Sequence, residues 1–150
     1  MAPDDRTALK LRAEDEEDLT VISTCLQDAL VPVRDFAYVP TDREFLFVAN
    51  RFCWENGLRR VPGEAAYERT LCGIRFSEVA AVSYSGFRRG NDGRILSLLA
   101  IRAENGAVHL EFSGGATIRL EVARILCHAT DIGEPWPTPW LPRHDPDEGA

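Results

Sequence analysis

The spacing of apolar residues predicts one helix near the start of the chain, followed by a series of strands. The helical spacing of three or four positions occurs at Leu19, Ile22, Leu26, Ala29 and Leu30. Asp15 is the predicted N-cap, because a carboxylate there accepts hydrogen bonds from the first turn. Pro32 is expected to end the helix, since the residue before a proline avoids the α conformation. The pattern therefore predicts a helix over residues 15–30, preceded by a short strand over 9–13.

From Val33 onward the apolar spacing changes to two, which is typical of strands. Residues 33–39 and 45–54 are predicted to pair, with a turn between them. The second strand is apolar on both faces, which carry Phe45 and Phe47 and, opposite them, Leu46 and Val48. Such a strand belongs in the middle of a sheet or at an interface, and it is our reason for expecting a homodimer.

The dipeptide Asn105-Gly106 predicts a β-hairpin, because it favours the type I′ turn. The turn predicts one apolar face, formed by Ala103 with Val108, Ile101 with Leu110 and Leu99 with Phe112. On the other face it places Arg102 opposite His109. A slip of one residue would mix the two faces, so the alternation specifies the register.

A third strand of this meander is expected from Ile118, with Glu121 opposite His109. Residues 118–130 fit a bulged strand, and a terminal helix is the alternative. Residues 55–66 contain Asn-Gly and Pro-Gly pairs, which are typical of a connecting loop.

These elements predict an α+β fold, with a mainly antiparallel sheet and one N-terminal amphipathic helix. The segment 74–82 followed by a meander is similar to part of a pleckstrin-homology-like barrel, which is a likeness of fold only. We expect a flexible N-terminus over 1–7, one globular domain over 8–133 and a tail over 134–150. The tail is rich in proline, tryptophan and acidic residues, and it is not expected to join a regular sheet.

The charge of the chain narrows its range of partners. Its 150 residues carry a formal net charge of −7, so we expect no nucleic acid partner. No apolar run is long enough to span a membrane, and the first residues lack the apolar segment of a secretory signal. The 4 cysteines form no CxxC pair and have apolar neighbours, which favours free, buried thiols. These features predict a cytoplasmic protein without a membrane partner.

We expect no assigned catalytic residue, but His109 is a candidate polar site, because Arg102 and Glu121 are predicted beside it on one polar face. Glu121 could orient the imidazole as a general base, although a surface charge ladder explains the same residues. The motifs of zinc, calcium and nucleotide sites do not occur in the sequence. We therefore expect no metal and no cofactor.

Two other features indicate binding rather than catalysis. Arg88, Arg89 and Arg94 are close together in an acidic chain and could bind a phosphate or carboxylate, although a solvated turn explains them as well. Trp136 and Trp140 lie in the tail, and tryptophan is enriched in binding interfaces. The tail is expected to dock on its own domain or, alternatively, on another chain.

A family resemblance is carried by the segments 9–19, 45–55, 96–101 and 118–122. Through them the chain resembles the domain-of-unknown-function family 2948 of alphaproteobacteria, over about residues 8–136. The resemblance implies a bacterial cytoplasmic protein. It implies no activity and assigns no functional residue.

The combined prediction is a non-enzymatic binding or assembly domain whose partner is another protein or a second copy of the chain. The alternative is a small-molecule enzyme or ligand sensor with a site near His109 or near the arginine loop of Arg88, Arg89 and Arg94.

Overall fold

The computed structural model describes residues 8–53, 59–61, 64–88 and 93–138. Within these ranges the chain forms one α-helix, α1 (Glu16–Cys25). The strands are β1 (Lys10–Ala13), β2 (Leu30–Pro32), β3 (Ala37–Val39), β4 (Glu44–Phe52), β5 (Arg59–Val61), β6 (Glu64–Phe76), β7 (Val79–Ser85), β8 (Ile95–Glu104), β9 (Ala107–Phe112), β10 (Thr117–Val122) and β11 (Cys127–Thr138). The predictions for residues 1–7 and 139–150 lie outside the described residues.

Helix α1 begins where the sequence predicts. The Asp15 side chain accepts a hydrogen bond from the N–H of Asp18 at 2.8 Å, which satisfies a donor of the first turn. Its buried face, Leu19 and Ile22, packs on the core, and the turn that follows adds Leu26. The predicted start is therefore confirmed, and so is the predicted inward face except at Leu30, which is 38% exposed.

The end of the helix lies earlier than predicted, at Cys25. The chain turns at Asp28, which has a φ of 65° and whose N–H donates to the carbonyl of Leu98 at 2.7 Å. Hydrogen bonds to the sheet thus replace the last helical turn, and the residues before and at Pro32 form β2. The predicted strand 33–39 is also shorter, because Val33–Asp35 form a 3-10 turn before β3.

The strands form one antiparallel sheet in the order β1-β11-β6-β4-β2-β8-β9-β10-β7, with β3 on β4 and β5 on β6. The predicted α+β class, mainly antiparallel with one N-terminal helix, is confirmed. The path ends at β1 and β7, so the sheet is not closed and the described strands do not form the barrel of the pleckstrin-homology likeness.

The short strand β2 divides the sheet into two halves, because it pairs with β4 on one side and β8 on the other. We call β1, β11, β6 and β4 the first half, and β8, β9, β10 and β7 the second half. Their inner faces share one core: the Phe36 ring lies 5.4 Å from Phe47 of the first half and 5.4 Å from Phe112 of the second. Each half therefore has an inner face on the core and an outer face.

Strand β4 is central, as its two apolar faces predict. It pairs with β2 and β3 along one edge and with β6 along the other. Phe45 and Phe47 are buried on its inner face, whereas Leu46 and Val48 are half-buried on its outer face.

Near the turn at Asn105 and Gly106, the hairpin of β8 and β9 has the predicted register. The confirmed pairs are Ala103 with Val108, Arg102 with His109 and Ile101 with Leu110. Asn105 and Gly106 have φ values of 49° and 78°, as a type I′ turn requires.

A bulge at Leu99 makes the predicted pairing of Leu99 with Phe112 wrong. Leu98 lies opposite Phe112 and is 0% exposed, whereas Leu99 is 41% exposed. The extra residue shifts the phase of the strand, so that Leu98 and Ile101 both face the core. The N–H of Ile101 donates to the hydroxyl oxygen of Ser23 on α1 at 2.9 Å, which ties this region to the helix.

Strands β9 and β10 pair two residues away from the predicted register. His109 lies opposite Arg119 and not opposite Glu121. The turn is tighter than expected because Gly114 and Gly115 have φ values of 72° and 78°, which glycine adopts readily. A slip of two residues keeps every side chain on its face, so the alternation of apolar and polar residues cannot detect it.

Residues 118–130 are extended, and the prediction of a strand over a helix is confirmed. They form two strands, however, instead of one bulged strand. β10 pairs with β9 and β7, whereas β11 pairs with β6 and β1. β11 then continues through Thr138, so the expectation that the tail stays out of the sheet is wrong for residues 134–138. A register shift between Ile132 and Trp136, where Gly133 has a φ of 75°, admits this segment into the ladder.

The predicted loop 55–66 is in part a hairpin, formed by β5 and the start of β6. Residues 54–58 and 62–63 lie outside the described residues.

Candidate functional site

A groove of about 660 Å³ lies on the outer face of the first half. This volume falls within the range of about 300–1,000 Å³ that is typical of small-molecule sites. Helix α1 packs instead on β8 and β1. The groove is thus a feature of the sheet surface itself.

Two cross-strand rows of side chains form most of the groove. In the first row, His128 of β11 lies opposite Arg75 of β6, which lies opposite Leu46 of β4. The second row contains, from β1 to β4, Lys10, Thr130, Gly73 and Val48. Cross-strand neighbours on one face lie about 4.5–5.5 Å apart, so the sheet brings together residues that are distant in sequence.

The middle of the groove is apolar. Leu46 and Val48 line it on β4, and Ile132 of β11 lines it while remaining 50% exposed. A Cβ atom on Gly73 would lie 3.0 Å from Cδ1 of Ile132, so the isoleucine side chain covers the glycine. Ile132 therefore forms a wall that has room to move outward.

Exposed apolar side chains continue this surface beyond the groove. Leu71, two residues from Gly73 on the same strand face, is 40% exposed. Trp136 of β11 lies opposite Arg69 of β6 and is 37% exposed. The outer face of the first half thus carries an apolar stripe that the described residues leave uncovered.

His128 contributes a polar atom without a partner. Its Nδ1 is buried and has no hydrogen-bond partner among the described residues. Burial lowers the pKa of this imidazole, and the charges of Arg75 and Arg12 lower it further. Buried polar atoms are normally hydrogen-bonded, so this nitrogen is an exception in the wall of the groove.

The inner face of the same half contains a buried ion pair. Arg51 of β4 reaches across β6 and donates from Nε and Nη2 to the two carboxylate oxygens of Asp131, each at 2.8 Å. Asp131 also accepts a hydrogen bond from the N–H of Leu9 at 2.8 Å. The side chains of Arg51 and Asp131 are 1% and 5% exposed, so this pair joins β4, β11 and the start of β1 inside the protein.

The cysteines near this pair are not activated nucleophiles. Burial, followed by the charge of Asp131, raises the pKa of the Cys72 thiol to about 12. Burial also raises the pKa of Cys127. Thiols of this kind stay protonated near neutral pH. All four cysteines are free, and Cys53, Cys72 and Cys127 are buried, which confirms the predicted thiols except that Cys25 is only half-buried.

The outer face of the second half is a charge ladder. Arg102 donates to Glu104 at 2.6 Å and also to Glu111. Arg119 donates to Glu121 at 2.9 Å. His109 lies between Arg102 and Arg119 in the register, so the structure does not bring Glu121 opposite it as the predicted general-base arrangement requires.

The predicted arginine loop and tail are only partly within the described residues. Arg94 donates to the carbonyl of Gly86 at 2.9 Å, and Arg88 is exposed. Arg89 and Trp140 lie outside the described residues. Trp136 is a strand residue on the apolar stripe, so the structure separates it from the arginine loop.

Within the described residues, no three His, Cys, Asp or Glu side chains are grouped as a metal ion requires. The helix found there is also too short and too polar to cross a bilayer.

Sequence reasoning missed the groove. One signal was available: the outer apolar residues of β4, Leu46 and Val48, which were interpreted as an interface. The polar contributors gave no signal, because Lys10, Arg75 and His128 come from three strands whose order in the sheet is not readable from the chain.

Comparison with known proteins adds one match. The model of a family described as a protein of unknown function, DUF2948, matches residues 9–144. No curated protein and no solved structure matches the chain.

Proposed function

The chain belongs to DUF2948, a family of unknown function, and we propose a function for it from its structure. We propose that it is a non-enzymatic binding domain whose ligand site is the groove on the first half. The observation that supports this proposal is the combination of an open apolar groove with the polar side chains of Lys10, Arg75 and His128 in its lining. Apolar walls with a few converging polar groups are typical of ligand sites.

The chemistry of the groove favours binding over catalysis. Thr130 and His128 line it, but among the described residues no hydrogen bond joins either side chain to a nucleophile or base, and the buried thiols are held protonated. The alternative enzyme or sensor near His109 has no observation in its favour, since Arg102 and Arg119 flank that imidazole. We assign the domain to a bacterial cytosol, a location that free, buried thiols support.

Filling the groove tests the proposal. Gly73→Val places a β-branched side chain in the middle of the groove, where Ile132 can swing outward to accommodate it. The matched control is Ser83→Val, which adds a similar side chain to an exposed position on β7 beside Arg119. Both variants are expected to fold, as their thermal melts will show.

A mixed library of small fragments, screened by amide chemical shifts, provides the measurement. We expect hits to shift the amides of Gly73, Thr130 and Ile132, and to be lost in Gly73→Val but kept in Ser83→Val. Hits that map to the charge ladder, or that survive Gly73→Val unchanged, would contradict the proposal.

Self-association stays a separate prediction. It was inferred from the outer apolar residues of β4, Leu46 and Val48, which now have a second role as groove lining. A monomeric mass in light scattering at high protein concentration would contradict a homodimer and leave the groove proposal untouched.

A further inference from the structure

The rim of the groove carries a row of basic side chains. Arg12 lies opposite His128, and His128 lies opposite Arg75, all on the outer face. Glu14 lies 2.9 Å from Arg12, and Glu44 lies 3.6 Å from Arg75, so each arginine of this row has a carboxylate neighbour.

A further cation, Lys10, stands one row along and lines the groove. It forms no ion pair with the residues that the structure describes. Lys10 therefore provides the groove with a cation that is available to a ligand, although the whole chain has a net charge of −7.

The polar groups here are mainly hydrogen-bond donors. Lys10 and Arg75 have donors only, and His128 and Thr130 each have a donor available. Asp35 lines the groove near β3, away from Lys10 on β1. Donors that converge at one end of an apolar surface fit the oxygens of an anionic head group.

We propose that the groove binds a small carboxylate with an aliphatic body, the head group meeting Lys10, Arg75 and His128. The aliphatic body lies along Leu46, Val48 and Ile132. This inference rests on the proposed function, because it names the ligand class of the same groove. It adds the requirement that the ligand carry a negative charge at one end.

Three probes with the same alkyl chain test the charge requirement: octanoate, octanol and octylamine. Their affinities are measured by titration of amide chemical shifts on the wild-type chain. We expect octanoate to bind at least about tenfold more tightly than either of the others, since a hydrogen bond to a charged group contributes this much. Its shifts should map to Lys10, Gly73, Arg75 and Thr130.

Lys10→Gln and Arg88→Gln form a matched pair of variants. Both replace an exposed cation, one on the groove and one in the arginine loop. Lys10→Gln should weaken the binding of octanoate several-fold and leave the binding of octanol unchanged. Arg88→Gln should leave the affinities for both probes unchanged. A weaker effect of Lys10→Gln than of Arg88→Gln would overturn the inference in favour of the loop.

The outcomes separate the two proposals. If octanol and octanoate bind in the groove with equal affinity, the anionic ligand class is wrong and the binding groove stands. If octanoate binds tightly but its shifts map to the charge ladder or the arginine loop, the inference is wrong. If fragments bind the groove and octanoate does not bind at all, the ligand class alone is wrong. If neither fragments nor octanoate shift the groove amides, both proposals are wrong.

Discussion

The two halves of the sheet differ in what they bury and in what lines their outer faces. The first half buries an ion pair, Arg51 with Asp131, and exposes Leu71 and Ile132 on its outer face. The second half buries aliphatic side chains such as Leu98, and its outer face carries the ion pairs of the charge ladder. The second half also exposes Ile95 and Leu99, so the two halves differ mainly in the buried ion pair and in the groove of the first half.

The two halves also differ in the interactions that stabilise them. Apolar burial in the second half contributes about 25 cal/mol for each Å² removed from water and tolerates small rearrangements. The ion pair of the first half is different, because both charges are buried and removing either partner disrupts hydrogen bonds in the interior. The halves should therefore respond differently to equivalent substitutions.

The largest effect is expected at the buried ion pair. Asp131→Asn removes the charge that faces Arg51 and weakens the acceptor of the Leu9 N–H. We expect the free energy of unfolding to fall by about 4 kcal/mol, since breaking a buried pair on one side costs about 3–5 kcal/mol. Urea denaturation followed by circular dichroism measures this loss.

Arg102→Met on the charge ladder is the matched control, because it breaks ion pairs that are exposed to solvent. Its denaturation midpoint should stay close to that of the wild type. The double variant Arg51→Met with Asp131→Leu should be more stable than either single variant, because it replaces both members of the pair by apolar side chains. Equal losses in Asp131→Asn and Arg102→Met would remove the contrast between the two halves.

A second test concerns the bulge in the second half. Leu98→Ala should lower the free energy of unfolding by about 3 kcal/mol, since it deletes a fully buried side chain. Leu99→Ala should change it by less than about 0.5 kcal/mol, because that side chain is 41% exposed. The same denaturation experiment compares these adjacent leucines. If Leu99→Ala lowered the free energy of unfolding more than Leu98→Ala, the result would favour the register without a bulge, in which Leu99 faces Phe112.

These leucines also show what the sequence can predict. The turn at Asn105 and Gly106 was predicted because its signal is local, and the pairs beside it followed from simple counting. The bulge was not predictable, because Leu98 and Leu99 are chemically identical and either can face the core. The choice is made by the inner face as a whole, which includes the Ser23 hydroxyl that accepts from Ile101.

The candidate site was less predictable than the fold. Its charges, Lys10, Arg75 and His128, become neighbours only through the strand order β1-β11-β6, which joins both ends of the chain to its middle. The pairing of His109 with Glu121 failed for a related reason, since a two-residue slip leaves the face pattern intact. Periodicity specifies the face of a residue, and only the assembled sheet specifies its neighbours.

The smallest expected effect is a pH dependence that distinguishes the outer faces. The pKa of His128 is lowered by burial first, and then by Arg75 on β6 and Arg12 on β1, against Glu14 and Glu44. The unfolded chain therefore binds this proton more readily than the folded chain once the pH falls through about 6.5. Stability contributed by neutral His128 is present above that pH and is lost as the pH falls toward the lower pKa of the folded state.

His128→Gln should therefore make the free energy of unfolding less sensitive to acid between pH 7.5 and pH 5.5 than it is in the wild type. Denaturation in a series of buffers of equal ionic strength measures this slope. His109→Gln, on the charge ladder, is the matched substitution on the other outer face. If His109→Gln flattened the slope and His128→Gln did not, the groove would not be the acid-sensitive face. Octanoate bound beside His128 should oppose the loss, because a neighbouring negative charge favours the protonated imidazole.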